Sequence, residues 1–174
     1  MVALSFTIGS VGKNTKAIRQ ILEDVSLGSP DNAIGFVLWR IVSRYQREMD
    51  RALAPIDLTN LQFVTLALAA WFEQAGQPAS QAELARFGGI HPMQISYMLK
   101  TLESKGFIVR ERSASDTRAK SVSLSRTGLG TLRLALPRAV EVQGRLFGEE
   151  GRPGGGLLAI LLALDRKLDA LPEE

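Results

Sequence analysis

The side chains with chemistry to offer lie in one stretch, Ser80 to Arg126. Met93, Gln94, Ser96, Tyr97 and Lys100 fall at spacings that put them on one side of a helix. Gln can pair with adenine, Ser reads several base edges, Met can touch a thymine methyl, and Lys suits a phosphate. His91, just before them, reads either as a surface residue beside a helix start or as a phosphate contact. Further on come Arg112, Asp116, Arg118 and Lys120. Arg118 could enter a narrow minor groove, where the potential is most negative. Asp116 could hold that guanidinium by a charge-assisted pair. Binding of a polyanion is the chemistry these residues offer. Catalysis has little to work with: there is no Cys, a single His, and no paired carboxylates in a recognisable motif.

Positioning them takes two helices and a hairpin. Ser80-Gln81-Ala82-Glu83 fits a capping box, in which Ser and Glu side chains satisfy free N–H groups at a helix start. Gly88-Gly89 stops that helix, and Pro92 suits the first position of a second one. Ile95, Met98, Leu99 and Leu102 make its apolar stripe, and Gly106 ends it as a left-handed cap. Two strands follow, Phe107–Arg110 and Ser121–Leu124, joined by the polar loop Ser113–Ala119. Helix, turn, helix, hairpin is the order of a winged helix-turn-helix, with the second helix offered to a major groove and the loop to a minor groove.

The string LESKGFIVRERSASDTRAKSVSLSRTG resembles the signature of the MarR family of bacterial transcription regulators. It carries Leu102-Glu103 with Gly106, then Arg110, then Asp116-Thr117-Arg118-Ala119-Lys120, then Leu124-Ser125 with Gly128. Leu58 to Phe63 also resembles the family's second helix, and the likeness covers roughly residues 31 to 171. At position 97, where the family commonly has Arg, this chain has Tyr. The resemblance implies a mainly α fold with a small β-hairpin wing: a winged helix-turn-helix lobe (58–126) in a domain of residues 29–171. It implies dimerisation helices over 29–55 and 127–171, and a homodimeric, ligand-released repressor of double-stranded DNA. The family's small, often aromatic and anionic effectors sit between the dimer layer and the DNA-binding lobe. Phe36, Trp39, Arg40 and Phe63 are the residues here that could line such a site, with core packing as their alternative use. The competing function is a winged-helix architectural or protein-interaction module with little sequence specificity, which Tyr97 favours.

Bulk properties agree with a nucleic-acid partner. The 174 residues carry a net charge of +3. From His91 to Arg126 there are seven Lys/Arg and three acids, a local +4 that leaves −1 for the rest. With no Cys there is no disulfide or cysteine redox switch, and one His alone makes no zinc site. Neither a metal nor a cofactor is expected. No signal peptide or membrane span is legible, so the expectation is a soluble cytoplasmic protein.

Outside the lobe, residues 1–28 form an N-terminal extension, either an ordered arm or a tail. Val2, Leu4, Phe6 and Ile8 alternate like a strand, and Ile18, Ile21, Leu22 and Val25 form a helical stripe. Ser29-Pro30 should open a long helix to about Leu53, too apolar for one narrow stripe. Thr59 should cap a helix to about Glu73. Ser125 should cap another to about Phe147, kinked at Pro137. Gly148 to Gly156 reads as a plain connector, and a last amphipathic helix should run from Leu157 to about Leu171.

Overall fold

A computed structural model describes residues 8–25, 30–112 and 120–170. Its seven α-helices among these residues are α1 (Ile8–Val25), α2 (Ile34–Leu53), α3 (Asn60–Gln74), α4 (Gln81–Phe87), α5 (Pro92–Ser104), α6 (Arg126–Phe147) and α7 (Gly156–Asp169). Two strands, β1 (Ile108–Arg112) and β2 (Lys120–Leu124), pair antiparallel with Ile108 opposite Leu124 and Arg112 opposite Lys120. The chain divides into two compact units, Met1–Tyr45 and Gln46–Glu174.

In the first unit, two expectations need correction. Ile8 opens a helix and does not close a strand. The helical spacing of Ile18, Ile21 and Leu22 wins, and all three are more than half exposed. The long helix also starts later than Ser29-Pro30. Pro30–Asn32 forms a single 3-10 turn and α2 begins at Ile34. Ser29 and the stretch of Val2, Leu4 and Phe6 lie outside the described residues.

The second unit is built on a core of Met49, Leu53, Leu66, Leu84, Ile95, Leu99, Leu102, Ile108 and Val122, all fully or almost fully buried. Its helix starts are written in the sequence. Thr59 and Ser80 each accept from the N–H three residues on, and the Gln62 and Glu83 side chains return the bond to the cap's own N–H. Each box satisfies two donors that a helix start leaves over. Ser125 caps α6 through its Oγ, which accepts from Gly128 N at 2.9 Å. Residues 79 and 80 extend the hairpin on its far side: Val122 N donates to Ala79 O at 2.9 Å, and Ser80 bridges Ser121. α6 runs unbroken through Pro137, and the connector to α7 contains a 3-10 turn, Gly148–Gly151. No single helix among the described residues is long and apolar enough to cross a membrane.

Candidate nucleic-acid interface

The second helix of the motif, α5, owes its pose to its ends and its buried stripe. His91 is the N-cap itself and more than a neighbour of it: its Nδ1 accepts from Met93 N at 3.2 Å. Pro92 fills the first position, where the missing N–H leaves nothing unpaired. Ile95, Leu99 and Leu102 are buried without remainder and Met98 is half-buried, so the helix cannot roll about its axis. At the far end Gly106 takes φ +69°, the left-handed cap that glycine adopts freely.

Lys105 anchors that end. Its Nζ donates to Asp57 O at 2.6 Å and Gln62 Oε1 at 3.2 Å, and pairs with the Asp57 carboxylate at 3.0 Å. Asp57 sits at φ 54°, which turns its carbonyl and side chain to the same ammonium. The turn between α2 and α3 is thereby tied to the C-terminal end of α5. From the N-terminal side, Asp50 Oδ1 of α2 accepts from Asn60 N at 2.6 Å.

The opposite face of α5 is left to solvent. Met93 is 76% and Tyr97 66% exposed, Gln94, Lys100 and His91 are exposed, and Ser96 is half-buried on the flank. Thr101, half-buried on the flank, turns its hydroxyl proton back to Tyr97 O at 3.0 Å. The hairpin stands beside this face. Lys120 is exposed at the first position of β2, and Arg112 ends β1. Asp116 and Arg118 lie outside the described residues, as does the side chain of Arg112.

A cavity of about 710 Å³ opens between α4, the start of α5 and the hairpin, lined by Gln81, Arg86, Ile90, Pro92, Arg110 and Lys120 among others. Sequence reading assigned Arg86 and Gln81 no role. A lone Arg near a helix end carries no pattern, and only the fold brings it to the same groove as Arg110 and Lys120. One acid lies near by. Glu83 turns its carboxylate to Ser80 N at 2.7 Å and to Ser80 Oγ at 2.8 Å. These bonds, with Arg86 as a minor contributor, hold it below the usual carboxylate range.

The residues considered for an effector fall in both units of the chain. On α2, Phe36 stacks on Trp39 with ring centroids 6.1 Å apart, and the Arg40 guanidinium lies 5.5 Å from the Phe36 ring while pairing with Asp31 at 2.8 Å. Trp39 is 65% exposed. Phe63 is packed into the core of the second unit. Among the described residues no group of three or more His, Cys, Asp or Glu could hold a metal ion.

Three comparisons bear on this arrangement. The model of the MarR family matches residues 58–120. YdcH of Bacillus subtilis, an uncharacterized HTH-type transcriptional regulator, is 35% identical over 118 residues, covering 68% of this chain and 80% of YdcH. Among solved structures, CouR of Rhodococcus jostii RHA1 bound to p-coumaroyl-CoA superposes with a TM-score of 0.69 at 26% identity, over 84% of this chain and 99% of CouR. A structure of the transcriptional repressor CouR bound to a 23-mer DNA duplex gives 0.62 at 31% identity, over 75% of this chain and 91% of that one.

Proposed function

This chain belongs to the MarR family of DNA-binding transcription regulators, and from that premise we propose that it is a cytoplasmic, homodimeric repressor of an inverted-repeat operator, released by a small aromatic anion. The observation that carries the reading is the solvent-facing row of α5, where Met93, Gln94, Tyr97 and Lys100 stand on a helix whose other side is locked in the core. His91 and Ser96 flank that row. Arg112, Asp116, Arg118 and Lys120 are the wing's assigned DNA contacts, with a negative minor groove as the place for a cation such as Arg118.

Two features support the assembly. On α6, Leu129, Leu134 and Val140 are each more than half exposed, as are Ile160 and Leu168 on α7. On α2, Ile34 and Trp39 are likewise bare. Surfaces this apolar call for a cover, and a second copy would supply it, with residues 29–55 and 127–171 as the dimer layer and 58–126 as the DNA-binding lobe. Residues 1–28 are then an N-terminal extension, an arm or a tail. For the effector, support comes from the Phe36–Trp39 stack with Arg40 beside it, a pairing of aromatic surface and cation. CouR, a repressor with structures both on DNA and with p-coumaroyl-CoA, is the precedent.

A selection on random duplexes tests the reading. It should return an inverted repeat with half-sites about one helical turn apart. The second reading, an architectural module, rests on Tyr97, an exposed aromatic where the resembled family offers a cation. Salt-dependent binding with no shared sequence among the selected duplexes would favour it.

A further inference from the structure

We propose that the groove between α4, α5 and the hairpin is a seat for one backbone phosphate of the bound duplex, held by Arg86, Arg110 and Lys120. The proposal rests on the DNA-binding reading and adds a site to it. Among the described residues, the groove's lining holds three cations and no carboxylate. Neither Arg86 nor Lys120 forms an ion pair with a described residue. Glu83, the near acid, gives one oxygen, Oε2, to both capping-box bonds, and Arg86 is only the smallest influence on it.

Arg110 gives the groove its specificity for an oxyanion. Its Nη2 donates to Gln81 Oε1 at 3.3 Å, which fixes the plane of the guanidinium from the root of the hairpin. Its Nε is buried and has no hydrogen-bond partner. A guanidinium so held still needs an acceptor, and a planar fork of N–H donors matches a phosphate better than a point charge does. Alternation along β1 sends Arg110 to this face and its neighbour Glu111 to the other, so the strand adds a cation here without its acid.

Position identifies the ligand. The groove takes in both Pro92, the first residue of α5, and Lys120, where the hairpin begins its return. A helix in the major groove and a wing in the adjacent minor groove are separated by one sugar-phosphate strand. Whatever surface joins helix to wing must face that strand, and here the joining surface is this groove.

Fluorescence anisotropy with the full chain and a duplex recovered from the random-sequence selection tests the proposal. Arg86→Gln and Lys120→Gln remove exposed side chains, so folding is safe; Arg110→Lys keeps charge and loses the fork. Each Gln variant should lower the slope of log K against log salt by up to about 0.9 per protomer, equally on selected and random duplexes. A duplex with a neutral methylphosphonate at the linkage between major- and minor-groove contacts should bind wild type more weakly, and Arg86→Gln should cost nothing further on it. Arg110→Lys should keep most of the slope but lose affinity on the native duplex alone. The proposal falls if both Gln variants keep the wild-type slope while Gln94→Ala still relaxes sequence preference, for then the DNA reading stands without this site. It falls equally if 4-hydroxycinnamate protects the groove's Lys120 from acetylation while operator DNA does not, which would give the groove to a small anion. No binding of any duplex by wild type would sink the reading beneath it.

Discussion

Gly128→Ala should unfold the junction on which the hairpin hangs. A Cβ at Gly128 would lie 1.8 Å from Phe107 O and 2.7 Å from its carbonyl carbon, where ordinary contact begins near 3.4 Å. Backbone must therefore open by about 1.6 Å, the difference between 3.4 and 1.8 Å. The same carbonyl accepts from Ser125 N at 3.0 Å, and Ser125 Oγ bonds Gly106 O at 2.5 Å. Overpacking of this kind costs about 1–3 kcal/mol, and two strained hydrogen bonds about 1 kcal/mol each. Helix propensity returns at most about 1 kcal/mol for Gly→Ala. The net is a loss of roughly 2–4 kcal/mol, read as a fall in Tm of about 4–16 °C for a chain of this size. Gly130 is the control: it lies two residues on in the same helix, with nothing within 4 Å of its would-be Cβ. Gly130→Ala should raise Tm by about 1–4 °C, since only the propensity gain remains. Melting both variants at one protein concentration removes assembly effects. Equal shifts, or a stabilised Gly128→Ala, would refute the claim that the motif's glycine is there for close approach.

Three further outcomes are expected. Glu83→Gln should destabilise at neutral pH, and its deficit against wild type should fade in acid unfolding curves. A carboxyl held low in the folded state contributes above its unfolded value near 4.3 and loses that contribution as pH falls through the folded one. Lys105→Met should lower stability by about 1–2 kcal/mol, since charge-assisted bonds are lost at a site that keeps some solvent; an unchanged urea midpoint would make the anchor idle. Tyr97→Arg should tighten binding to random duplexes if Tyr97 only packs on the backbone, whereas Gln94→Ala should relax one position of each half-site at a cost of about 1–3 kcal/mol on the selected duplex.

Legibility followed the range of the interaction. The cap at Thr59, the capping box at Ser80, the apolar stripe of α5 and the left-handed Gly106 are local, and each stands where spacing put it. Competition between local patterns misled at the N-terminus, where Ile8 fits an alternating run yet sits in a helix set by the stripe after it. The role of His91 as the cap was within reach of the sequence, but imidazole is an uncommon acceptor there. Contacts across the fold were not legible. Nothing near Lys105 in the sequence points to Asp57, 48 residues away, or joins Arg110 to Gln81 at a separation of 29. These pairings depend on how three helices and a hairpin close on one another, which periodicity does not encode.

Charge shows the same distinction and changes how the basic stretch should be read. The +4 of residues 91–126 treats all cations alike. In the fold, Lys105 is consumed by Asp57 and Gln62 at 22% exposure and offers nothing to a partner. Arg145 of α6 and Arg51 of α2 are likewise both held by Glu48, at 2.7 and 2.6 Å. Arg86 lies outside the stretch, yet it reaches the groove without an ion pair. Cations that position the lobe are thus spent on carboxylates and carbonyls, while Arg86 and Lys120 in the groove form no ion pair with a described residue. A surface salt bridge contributes little to stability, but it cancels a charge that DNA would otherwise meet. The number of counterions released on binding should therefore follow the unpaired cations of the fold and not the net charge of the sequence.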